Sequence, residues 1–579
     1  MTQDAIAHAL EEIGTLLQLT GENDFRVKAY TNGARLLGQF NGDFAQLVAE
    51  KKLGTIRGIG EALAGKITVL ATTGKLPYLD ELRASVPPGL LEMMKIPGLG
   101  PKKVKALHDE LQIDTIDKLK AACETDSVAN LKGFGAKTQM KILEGLRFLG
   151  TVNQRVRLDQ ALALGELILE RIRTSPGVSR AELAGSLRRR RDTAKDLDIV
   201  ASSAQAEPIM AAFTTMPEVL HVIAHGPTKS SVVLRAGDGS DTVTMNADLR
   251  IVTEEQFPFA LMYLTGSKEH NVRVRQRAIE RGLSLNEYGL TGEGTATVCQ
   301  DERAIYTALT LDFIPPELRE DTGEVEAAAA RTLPTLVERR QIRGVFHNHT
   351  TASDGTATLA VMAAKCQALG WEYFGVGDHS QSLSVAGGLT VDRVRRQWAE
   401  IDELNASFTG FRIFKGIESD ILQDGSLDYP DDVLAGFDYV VASVHSYFNL
   451  PEAEQTERLC RALRHPATTM LGHATGRLLL RREGYKVDLD RVIATAVEYG
   501  KMIEINAQPR RLDLDWPWVK RAKAAGVLLV INPDAHTPDD LELVDYGVMV
   551  ARRGWLEAAD VFNTRSLKDV EEMLMQRTR

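Results

Sequence analysis

The stretch Gly185-Ser-Leu-Arg-Arg-Arg-Arg-Asp-Thr-Ala-Lys-Asp-Leu-Asp-Ile-Val200 decides how the rest of the chain is interpreted. A glycine and serine turn and an arginine run come first, and Asp196 and Asp198 then open an apolar strand. Side chains two positions apart on a strand face the same way. Asp196 and Asp198 can therefore share metal ions, and Asp248 in the strand-like run Val243–Val252 offers a third carboxylate.

Carboxylates grouped in this way predict metal-dependent phosphoryl transfer. Carboxylate oxygens are ligands that Mg²⁺ prefers, and a pair of ions stabilises both the attacking and the leaving oxygen of an in-line displacement. A single Asp-x-Asp pair also occurs at many ordinary strand ends and turns. The prediction of two Mg²⁺ ions at Asp196, Asp198 and Asp248 therefore depends on the other motifs around the pair.

These motifs, in this order, resemble the palm of the family X DNA polymerases, the family of DNA polymerase beta. The resemblance runs from the first helices to about residue 317 and implies DNA-directed DNA synthesis from dNTPs in short gaps. The residues that carry it are Gly185-Ser186, Asp196-x-Asp198, Asp248-Leu-Arg250 and Tyr263-Leu-Thr-Gly-Ser267, followed by Asn271 and Arg275.

The same resemblance implies a partner for each residue of the nucleotide-binding motifs. The implied partners are the triphosphate of the incoming dNTP for Ser186 and Arg189, its sugar for Tyr263 to Gly266, its base for Asn271, and the template strand for Arg275, and Gly185 and Ser267 are further nucleotide-binding candidates.

A Gly-x-Gly turn occurs three times in the first 150 residues, each time after an apolar residue and before a helix that carries lysine. Two glycines let the backbone approach a phosphate closely, and the amides at the following helix N-terminus point at it. One such turn is usually a plain helix connector, whereas three in tandem resemble helix-hairpin-helix modules. We expect sequence-independent binding of gapped or primer-template DNA at Gly58 and Gly60, Gly98 and Gly100, and Gly133 and Gly135.

Lys66 follows the first of these turns and has two interpretations. The N-terminal domains of family X polymerases can remove a 5'-deoxyribose phosphate through a lysine Schiff base, and Lys66 falls at that position. A supporting lysine expected in the same helix is Ala62 here. Lys66 as the nucleophile of a lyase and Lys66 as a plain phosphate ligand therefore stay equal alternatives.

Seven of the twelve histidines lie after residue 340, and six of these stand in the short motifs His347-Asn-His349, Asp378-His379, Ser443-Val-His445, Gly472-His473 and Asp534-Ala-His536. Neutral imidazole and carboxylate are ligands of zinc, manganese and iron. Most of the motifs follow strand-like runs such as Tyr439–Ala442, and these runs alternate with helical segments, which indicates a parallel β/α barrel-like fold. We expect the motifs to converge at one mouth of the barrel.

The set is similar to the polymerase and histidinol phosphatase (PHP) family, whose nine ligands hold three metal ions in a distorted β/α barrel. The resemblance implies up to three Mn²⁺ or Zn²⁺ ions. Fusion to a polymerase suggests a 3'-5' exonuclease on the DNA 3' end, with 3'-phosphatase and abasic-site endonuclease activity as further candidates. Val345 departs from the acidic residue common before the first histidine pair. The implied ligands are His347, His349, Asp354, His379, Glu418, His445, His473, Asp534 and His536.

The 579 residues predict several domains in a multidomain α/β protein. No apolar run approaches the ~20 residues of a membrane span, and the start lacks the features of a secretory signal, so we expect a cytoplasmic, nucleoid-associated monomer without membrane contact. The net charge of -10 is only weak evidence against DNA binding, because most of it lies from Leu318 onward, where the chain has 31 Lys and Arg and 39 Asp and Glu. The four cysteines are far apart, which predicts buried free thiols.

The predicted fold has helical helix-hairpin-helix domains first, an α+β nucleotidyltransferase palm and thumb in the middle, and a distorted TIM-like PHP barrel last. The predicted domains are 1–84 (helical, lyase-like, DNA-binding), 85–150 (helix-hairpin-helix), 151–255 (palm), 256–317 (nucleotide-selecting α/β subdomain), 318–340 (linker) and 341–579 (PHP metallophosphoesterase).

Two alternative functions compete with a gap-filling repair enzyme. One is a template-independent nucleotidyltransferase with a fused small-molecule phosphatase, and the three Gly-x-Gly turns argue against it because such an enzyme has no use for DNA-backbone contacts. The other is a DNA-binding scaffold with one inactive site, and the two apparently complete ligand sets argue against it.

Overall fold

The computed structural model describes residues 3–38, 44–56, 58–94, 96, 99–152, 155–237, 242–292 and 295–577. The chain divides into two compact units, Met1–Gln154 and Arg155–Arg579. Among the described helices, none combines the length and the apolar character that crossing a bilayer requires. All four cysteines are free and buried, as the sequence predicts.

The first unit is helical. Its first helix buries Ile6, Leu10, Ile13 and Leu17, whose spacing places them on one face of a helix of 3.6 residues per turn. Later helices of the unit pack against that face. The helices are α1 (Gln3–Thr20), α2 (Asp24–Gly38), α3 (Phe44–Ala49), α4 (Glu61–Thr73), α5 (Pro77–Ser85), α6 (Pro88–Met93), α7 (Pro101–Leu111), α8 (Ile116–Glu124) and α9 (Gly135–Val152).

The Gly-x-Gly turns stand where the sequence predicts them, directly before helices. Gly60 and Gly100 are the N-caps of α4 and α7, and Gly135 is the first residue of α9. A Cβ added to any of these three glycines would meet no heavy atom within 4 Å, so the space beside the backbone is open. Gly98 lies outside the described residues.

The second unit begins with a five-stranded mixed sheet in the order β2-β4-β7-β6-β5. Strands β4 and β7 are parallel neighbours, and both carry buried apolar side chains on alternate positions. The elements are β1 (Val156–Arg157), α10 (Leu158–Arg173), β2 (Arg180–Leu183), α11 (Gly185–Arg188), β3 (Thr193–Ala194), β4 (Asp196–Ser202), α12 (Ala206–Thr214), β5 (Val219–His225), β6 (Lys229–Ala236) and β7 (Val243–Val252).

A smaller α/β body follows and has a core of its own. Two buried polar groups anchor it: Arg319 donates to Glu302 over 2.6 Å, and His270 lies between Glu324 and Tyr306. The elements are α13 (Phe257–Thr265), α14 (Lys268–Ile279), β8 (Leu283–Leu285), β9 (Leu290–Gly292), β10 (Thr295–Thr297), α15 (Glu302–Ala308) and α16 (Glu324–Ala330).

The predicted linker 318–340 is a packed part of this unit. Leu318, Val325 and Leu336 join the same core as α14 and α15, and Val337 donates its backbone N–H to Leu556 O over 2.9 Å. Burial of these apolar residues makes the segment a structural connection between the middle body and the C-terminal part, where composition alone predicts a linker.

The C-terminal part contains eight parallel strands in two sheets, of three and five strands. Single backbone bridges join Asn348 to Ala535 and His379 to Glu418 across the strand ends. The described strands thus form two sheets rather than one continuous barrel, and the distorted barrel stays a prediction. The strands are β11 (Gly344–Val345), β12 (Tyr373–Gly375), β13 (Arg412–Phe414), β14 (Gly416–Asp420), β15 (Tyr439–Ser443), β16 (Met470–Leu471), β17 (Met502–Asn506) and β18 (Leu529–Asn532).

Helices alternate with these strands along the chain, as the sequence predicts for parallel β/α units. The helices are α17 (Leu359–Ala368), α18 (Val391–Asn405), α19 (Asp431–Leu434), α20 (Glu452–Arg464), α21 (Leu489–Glu498), α22 (Trp516–Ala525), α23 (Val544–Arg553) and α24 (Leu567–Arg577).

The buried pair of Arg319 and Glu302 leads to a stability prediction. Burial alone would raise the pKa of Glu302, but Arg319 and Arg188 lower it to about 2, so the carboxylate is charged and paired at neutral pH. Arg319→Met should lower the free energy of unfolding by about 3–5 kcal/mol, because it leaves buried charge with fewer partners. Denaturant unfolding of the full chain measures this. Arg340→Met is the control, because the Arg340 side chain is 82% exposed and its loss should leave the midpoint unchanged.

Candidate active sites

The three aspartates that the sequence selects lie side by side on neighbouring strands. In the register of β4 and β7, Asp198 stands directly opposite Asp248, and Asp196 is two residues before Asp198 on the same face. Burial, and then the negative charges of Asp196 and Asp248, raise the pKa of Asp198 to about 7. The arrangement concentrates negative charge, and a divalent cation would relieve the repulsion. These residues therefore fit the predicted Mg²⁺ site.

Gly185 is required by a close approach to one of these aspartates. Its φ is +61°, and a Cβ added to it would lie 2.1 Å from Asp198 Oδ2. Ala184 donates its backbone N–H to Asp198 O over 2.8 Å, which holds the turn against β4. Only glycine lets the turn before α11 pass so close to the carboxylate. Ser186 follows it, half-buried, in the first turn of α11.

Arg189, the predicted triphosphate ligand, has protein partners in this structure. Its guanidinium donates to Glu320 over 3.1 Å and to the backbone oxygen of Thr265, and it packs beside Gly266. Sequence reasoning missed Glu320, because 131 residues separate it from Arg189 and no motif contains it. A triphosphate at this position would compete with Glu320 for the arginine.

Three further predicted nucleotide contacts lie together on α13 and α14. Asn271 donates its amide to Tyr263 O over 2.7 Å, and the Arg275 guanidinium lies 5.2 Å from the centre of the Tyr263 ring. Arg275 Nη2 is buried without a hydrogen-bond partner. Ser267 caps α14 by accepting from His270 N–H. The structure thus brings these residues together, and their roles toward base, sugar and template stay predictions.

Lys229 is a neighbour of the three aspartates that sequence reasoning missed. Its Nζ lies 2.8 Å from Asp248 Oδ2, and its side chain is about half exposed. Lys229 opens β6, which pairs with β7. No motif marks this lysine, so only the pairing of β6 with β7 could have identified it.

The predicted metal ligands of the C-terminal part also converge, at the carboxyl ends of the parallel strands. The Glu418 carboxylate lies at the centre, 2.8 Å from His379 Nδ1, 2.9 Å from His473 Nε2 and 3.2 Å from His347 Nε2. Eight of the nine predicted ligands form three groups whose ligand atoms lie within 4.8 Å of one another, and His473 joins them through Glu418. The groups are His349, Asp354, His379 and His536; His347, His349 and Asp534; and His379, Glu418 and His445.

The donor atoms of this cluster fit bound metal ions. His347 Nε2, His349 Nδ1 and Glu418 Oε2 are buried without a hydrogen-bond partner, a costly arrangement for polar atoms unless an ion occupies the site. Imidazole nitrogen and carboxylate oxygen together suit zinc and manganese. Three overlapping groups of ligands are consistent with up to three ions.

Two carboxylates outside the predicted ligand set orient histidines of the cluster through their Nδ1 atoms. Glu504 Oε1 lies 2.7 Å from His347 Nδ1, and Asp420 contacts His445 Nδ1. Each contact leaves the Nε2 atom of the histidine facing Glu418. Carboxylates in this role fix the ring orientation and raise the basicity of a metal-binding histidine. The sequence does not assign Glu504 this role, because it lies 157 positions from His347.

Protonation of some histidines offsets carboxylate charge within the cluster. Burial alone would lower the pKa of His379, but Glu418 and Asp354 raise it to about 10, and Glu418 and Asp420 likewise raise the pKa of His445 to about 9 against burial. Burial would raise the pKa of Glu418, and the neighbouring histidines hold it well below its usual range. Dications would replace these protons.

Lys66 lies in the helical unit between two aromatic rings. Its Nζ is 5.1 Å from the centre of the Tyr78 ring and 5.9 Å from that of Tyr30. Burial raises the pKa of both phenols. These contacts are compatible with a phosphate ligand and with a lyase nucleophile, so both interpretations stay predictions.

Comparison with known proteins identifies the family. Family models match residues 1–76 as a helix-hairpin-helix domain, residues 90–147 as a SAM-like helix-hairpin-helix tandem, and residues 260–320 as a DNA polymerase beta thumb. The chain is 41% identical over 576 residues to the DNA polymerase/3'-5' exonuclease PolX of Bacillus subtilis (strain 168), with 99% of each chain covered. The chain belongs to the family X DNA polymerases. The resemblance inferred from the motifs is thereby confirmed.

Shorter relatives cover less of this family X chain. A probable phosphatase of Thermoanaerobacter sp. (strain X514) is 25% identical over 244 residues, which are 40% of this chain and 94% of that protein. A probable phosphatase of Acetivibrio thermocellus is 28% identical over 199 residues, 33% of this chain and 78% of that protein. The similarity to phosphatases agrees with the PHP resemblance of the C-terminal histidine motifs.

The close approach of Gly185 to Asp198 predicts that a methyl group added at position 185 displaces the Asp198 carboxylate. Gly185→Ala should lower primer extension by about 100-fold, because a displacement of about 1 Å at a reacting centre can cost that much. Steady-state extension of a primer with Mg²⁺ measures it. Gly289→Ala is the matched control, since a Cβ there meets nothing within 4 Å. Equal extension by Gly185→Ala and wild type would contradict the placement of Asp198.

The raised pKa of Asp198 predicts a pH-dependent affinity for Mg²⁺. With a pKa of about 7, the carboxyl is largely protonated at pH 6 and must lose its proton before it can bind the ion. The Mg²⁺ concentration for half-maximal thermal stabilisation should therefore be about 10-fold higher at pH 6 than at pH 8. The part of the Mg²⁺ effect that Asp198→Asn removes reports this site. A midpoint independent of pH would refute the assignment.

Proposed function

We propose that the chain is a DNA-directed DNA polymerase of family X that fills short gaps in DNA repair and also removes nucleotides from DNA 3' ends as a 3'-5' exonuclease. The observation that carries the proposal is the presence, in one family X chain, of two separate carboxylate-rich sites, Asp196, Asp198 and Asp248 in one and the histidine cluster around Glu418 in the other. The Bacillus subtilis relative bears both activities in its name.

In the polymerase site, the three aspartates would hold two Mg²⁺ ions, which supply Lewis-acid stabilisation of the attacking 3' oxygen and the leaving pyrophosphate. Asp198 is half-buried and lies opposite Asp248, so the register of β4 and β7 sets the positions of these two ligand candidates. Ser186 and Arg189 bind the triphosphate, and Arg189 leaves Glu320 to do so. Tyr263 to Ser267, with Asn271 and Arg275, select the nucleotide and its template partner.

In the phosphoesterase site, the nine ligands would hold up to three Mn²⁺ or Zn²⁺ ions, which supply an activated water and charge neutralisation for phosphodiester hydrolysis. Glu418 lies at the centre and contacts histidines from several strand ends. Glu504 and Asp420 hold His347 and His445 in the orientation that directs Nε2 inward. Whether the site also removes 3'-phosphates or cleaves abasic sites stays a prediction.

We propose the domain bounds given by the sequence, with residues 318–340 as a packed connection into a PHP domain of distorted-barrel form. The helix-hairpin-helix turns bind the backbone of gapped or primer-template DNA, and dNTPs are the second substrate. The protein works as a monomer in the cytoplasm, associated with the nucleoid, and has no membrane partner.

The experiment that tests the proposal separates the two sites. A labelled primer on single-nucleotide-gapped DNA is incubated with Mg²⁺ or Mn²⁺, and extension and 3' degradation are followed for wild type, Asp198→Ala and His349→Ala. Asp198→Ala should lose extension and keep degradation, because its side chain belongs to the first site. His349→Ala should lose degradation and keep extension.

Two results would overturn the proposal in different ways. A wild-type protein that neither extends nor degrades the primer would exclude DNA as the substrate of both sites. Loss of both activities in each variant, with unchanged thermal unfolding, would show that one site performs both reactions. His465→Ala serves as a control, because His465 lies near Asp431 and outside the metal-ligand groups.

A further inference from the structure

Arg511 is a charged residue at the phosphoesterase site that the ligand set does not include. Its side chain is 19% exposed, and its Nε lies 3.6 Å from Asp534 Oδ2. A guanidinium has five N–H donors, and among the described residues the polar side-chain partner of this one is Asp534. Most of its hydrogen-bonding capacity is therefore free at the edge of the metal-ligand cluster.

Arg511 brings a positive charge to the edge of the metal-ligand cluster. Its partner Asp534 belongs to one of the three ligand groups, together with His347 and His349. Asp534 supplies one anion between this cation and the cluster, and a second anion at the edge of the cluster would have the guanidinium on one side and divalent ions on the other. A phosphate group suits this position, because guanidinium binds two of its oxygens at once.

The turn that carries Arg511 is held rigidly. Asn506 and Asp513 exchange backbone hydrogen bonds at its base, and Arg511 N–H donates to Gln508 O over 2.7 Å within it. Asp513 Oδ2 accepts from both the N–H and the hydroxyl of Thr475, each over 2.9 Å. These hydrogen bonds fix the backbone position of Arg511.

Arg477 fastens this turn to a different part of the chain. Its Nε donates to Arg511 O over 2.8 Å, and its Nη2 donates to Leu512 O and, over 2.7 Å, to Asp192 Oδ2. Asp192 belongs to the palm, between the arginine run and β3, and its backbone oxygen accepts from Leu158 N–H. Asp192, together with Asp515 at 3.5 Å, therefore neutralises the arginine that holds the phosphoesterase turn.

We propose that Arg511 binds the scissile phosphate of the nucleic-acid strand in the phosphoesterase site, and that Asp192 of the palm positions it through Arg477. The proposal rests on the phosphoesterase function proposed above and adds a phosphate-binding residue and a dependence on the palm. Arg511 contacts the substrate, whereas Asp192 and Arg477 are positioning residues.

The test measures phosphate binding directly, so that it does not depend on which ester is hydrolysed. Inorganic phosphate is titrated calorimetrically into the full-length, Mn²⁺-loaded protein, and the signal lost in His349→Ala defines binding at this site. Arg511→Ala should weaken that binding by about 10-fold or more, the loss expected for charge-assisted hydrogen bonds. Arg511→Lys should recover only part of it, because an ammonium lacks the planar fork. Arg510→Ala, an exposed neighbour, should bind phosphate like wild type.

The positioning role is tested with Asp192→Asn, Arg477→Gln and the double variant. Each single variant should raise the dissociation constant for phosphate, and the double variant should raise it no further, because both changes break one connection. A purely structural defect would reduce the number of binding sites without changing the dissociation constant of the folded fraction. Manganese content, measured for every variant, shows that the site is loaded.

Different outcomes would overturn the phosphate-binding role, the positioning role and the exonuclease function. Wild type that binds no phosphate, or Arg511→Ala that binds it as wild type does, excludes Arg511 as the phosphate ligand. Unchanged dissociation constants in Asp192→Asn exclude the positioning role. Phosphate binding that depends on Arg511 in a protein that degrades no DNA strand would instead keep the phosphate site and reject the exonuclease.

Discussion

Charged side chains that the strands hold close together are the constraint on which both candidate sites depend. The parallel register of β4 and β7 places Asp198 directly opposite Asp248, and β14 carries Glu418 into a buried cluster that already contains Asp534. The backbone hydrogen bonds of the strands hold these side chains close together despite the free-energy cost of bringing their charges together. The pKa of Asp198 is therefore raised, whereas protonated histidines hold that of Glu418 low. Bound cations would stabilise both sites, which would link metal binding to catalysis.

The two sites belong to one continuous packed unit, and buried ion pairs run through it. Arg553 of α23 donates to Glu320 and lies 3.5 Å from Asp192, while Glu320 also holds Arg189 and Asp192 also holds Arg477. Charges in such an alternating row neutralise one another where single ones would be costly to bury. The row extends from Arg189 to the turn that carries Arg511, so ion pairs connect the sheet that contains β4 and β7 to the C-terminal part.

Helical and strand patterns were strong enough to predict the arrangement of the chain in outline. The glycine turns precede helices because glycine suits the tight approach, and the histidine motifs follow strands because β/α units place polar residues at strand ends. A continuous barrel was not observed, since the extended stretch from Arg412 to Asp420 is interrupted at Lys415 and its two parts, β13 and β14, belong to different sheets, a local break that composition does not express. The segment 318–340 has a polar, alanine-rich sequence typical of a linker, yet its few apolar residues suffice to bury it in a core.

The sequence by itself determined the chemistry: Asp196-x-Asp198 on one strand face, the nine metal-ligand candidates, and the motifs that place the chain in family X. These signals are local, because spacing along one strand or one turn decides which side chains can act together. Only the tertiary structure decided that Lys229 stands beside Asp248, that Glu320 occupies Arg189, and that Asp192 reaches Arg477. Such contacts join residues far apart in the chain, and strand order and packing, which no local pattern encodes, bring them together.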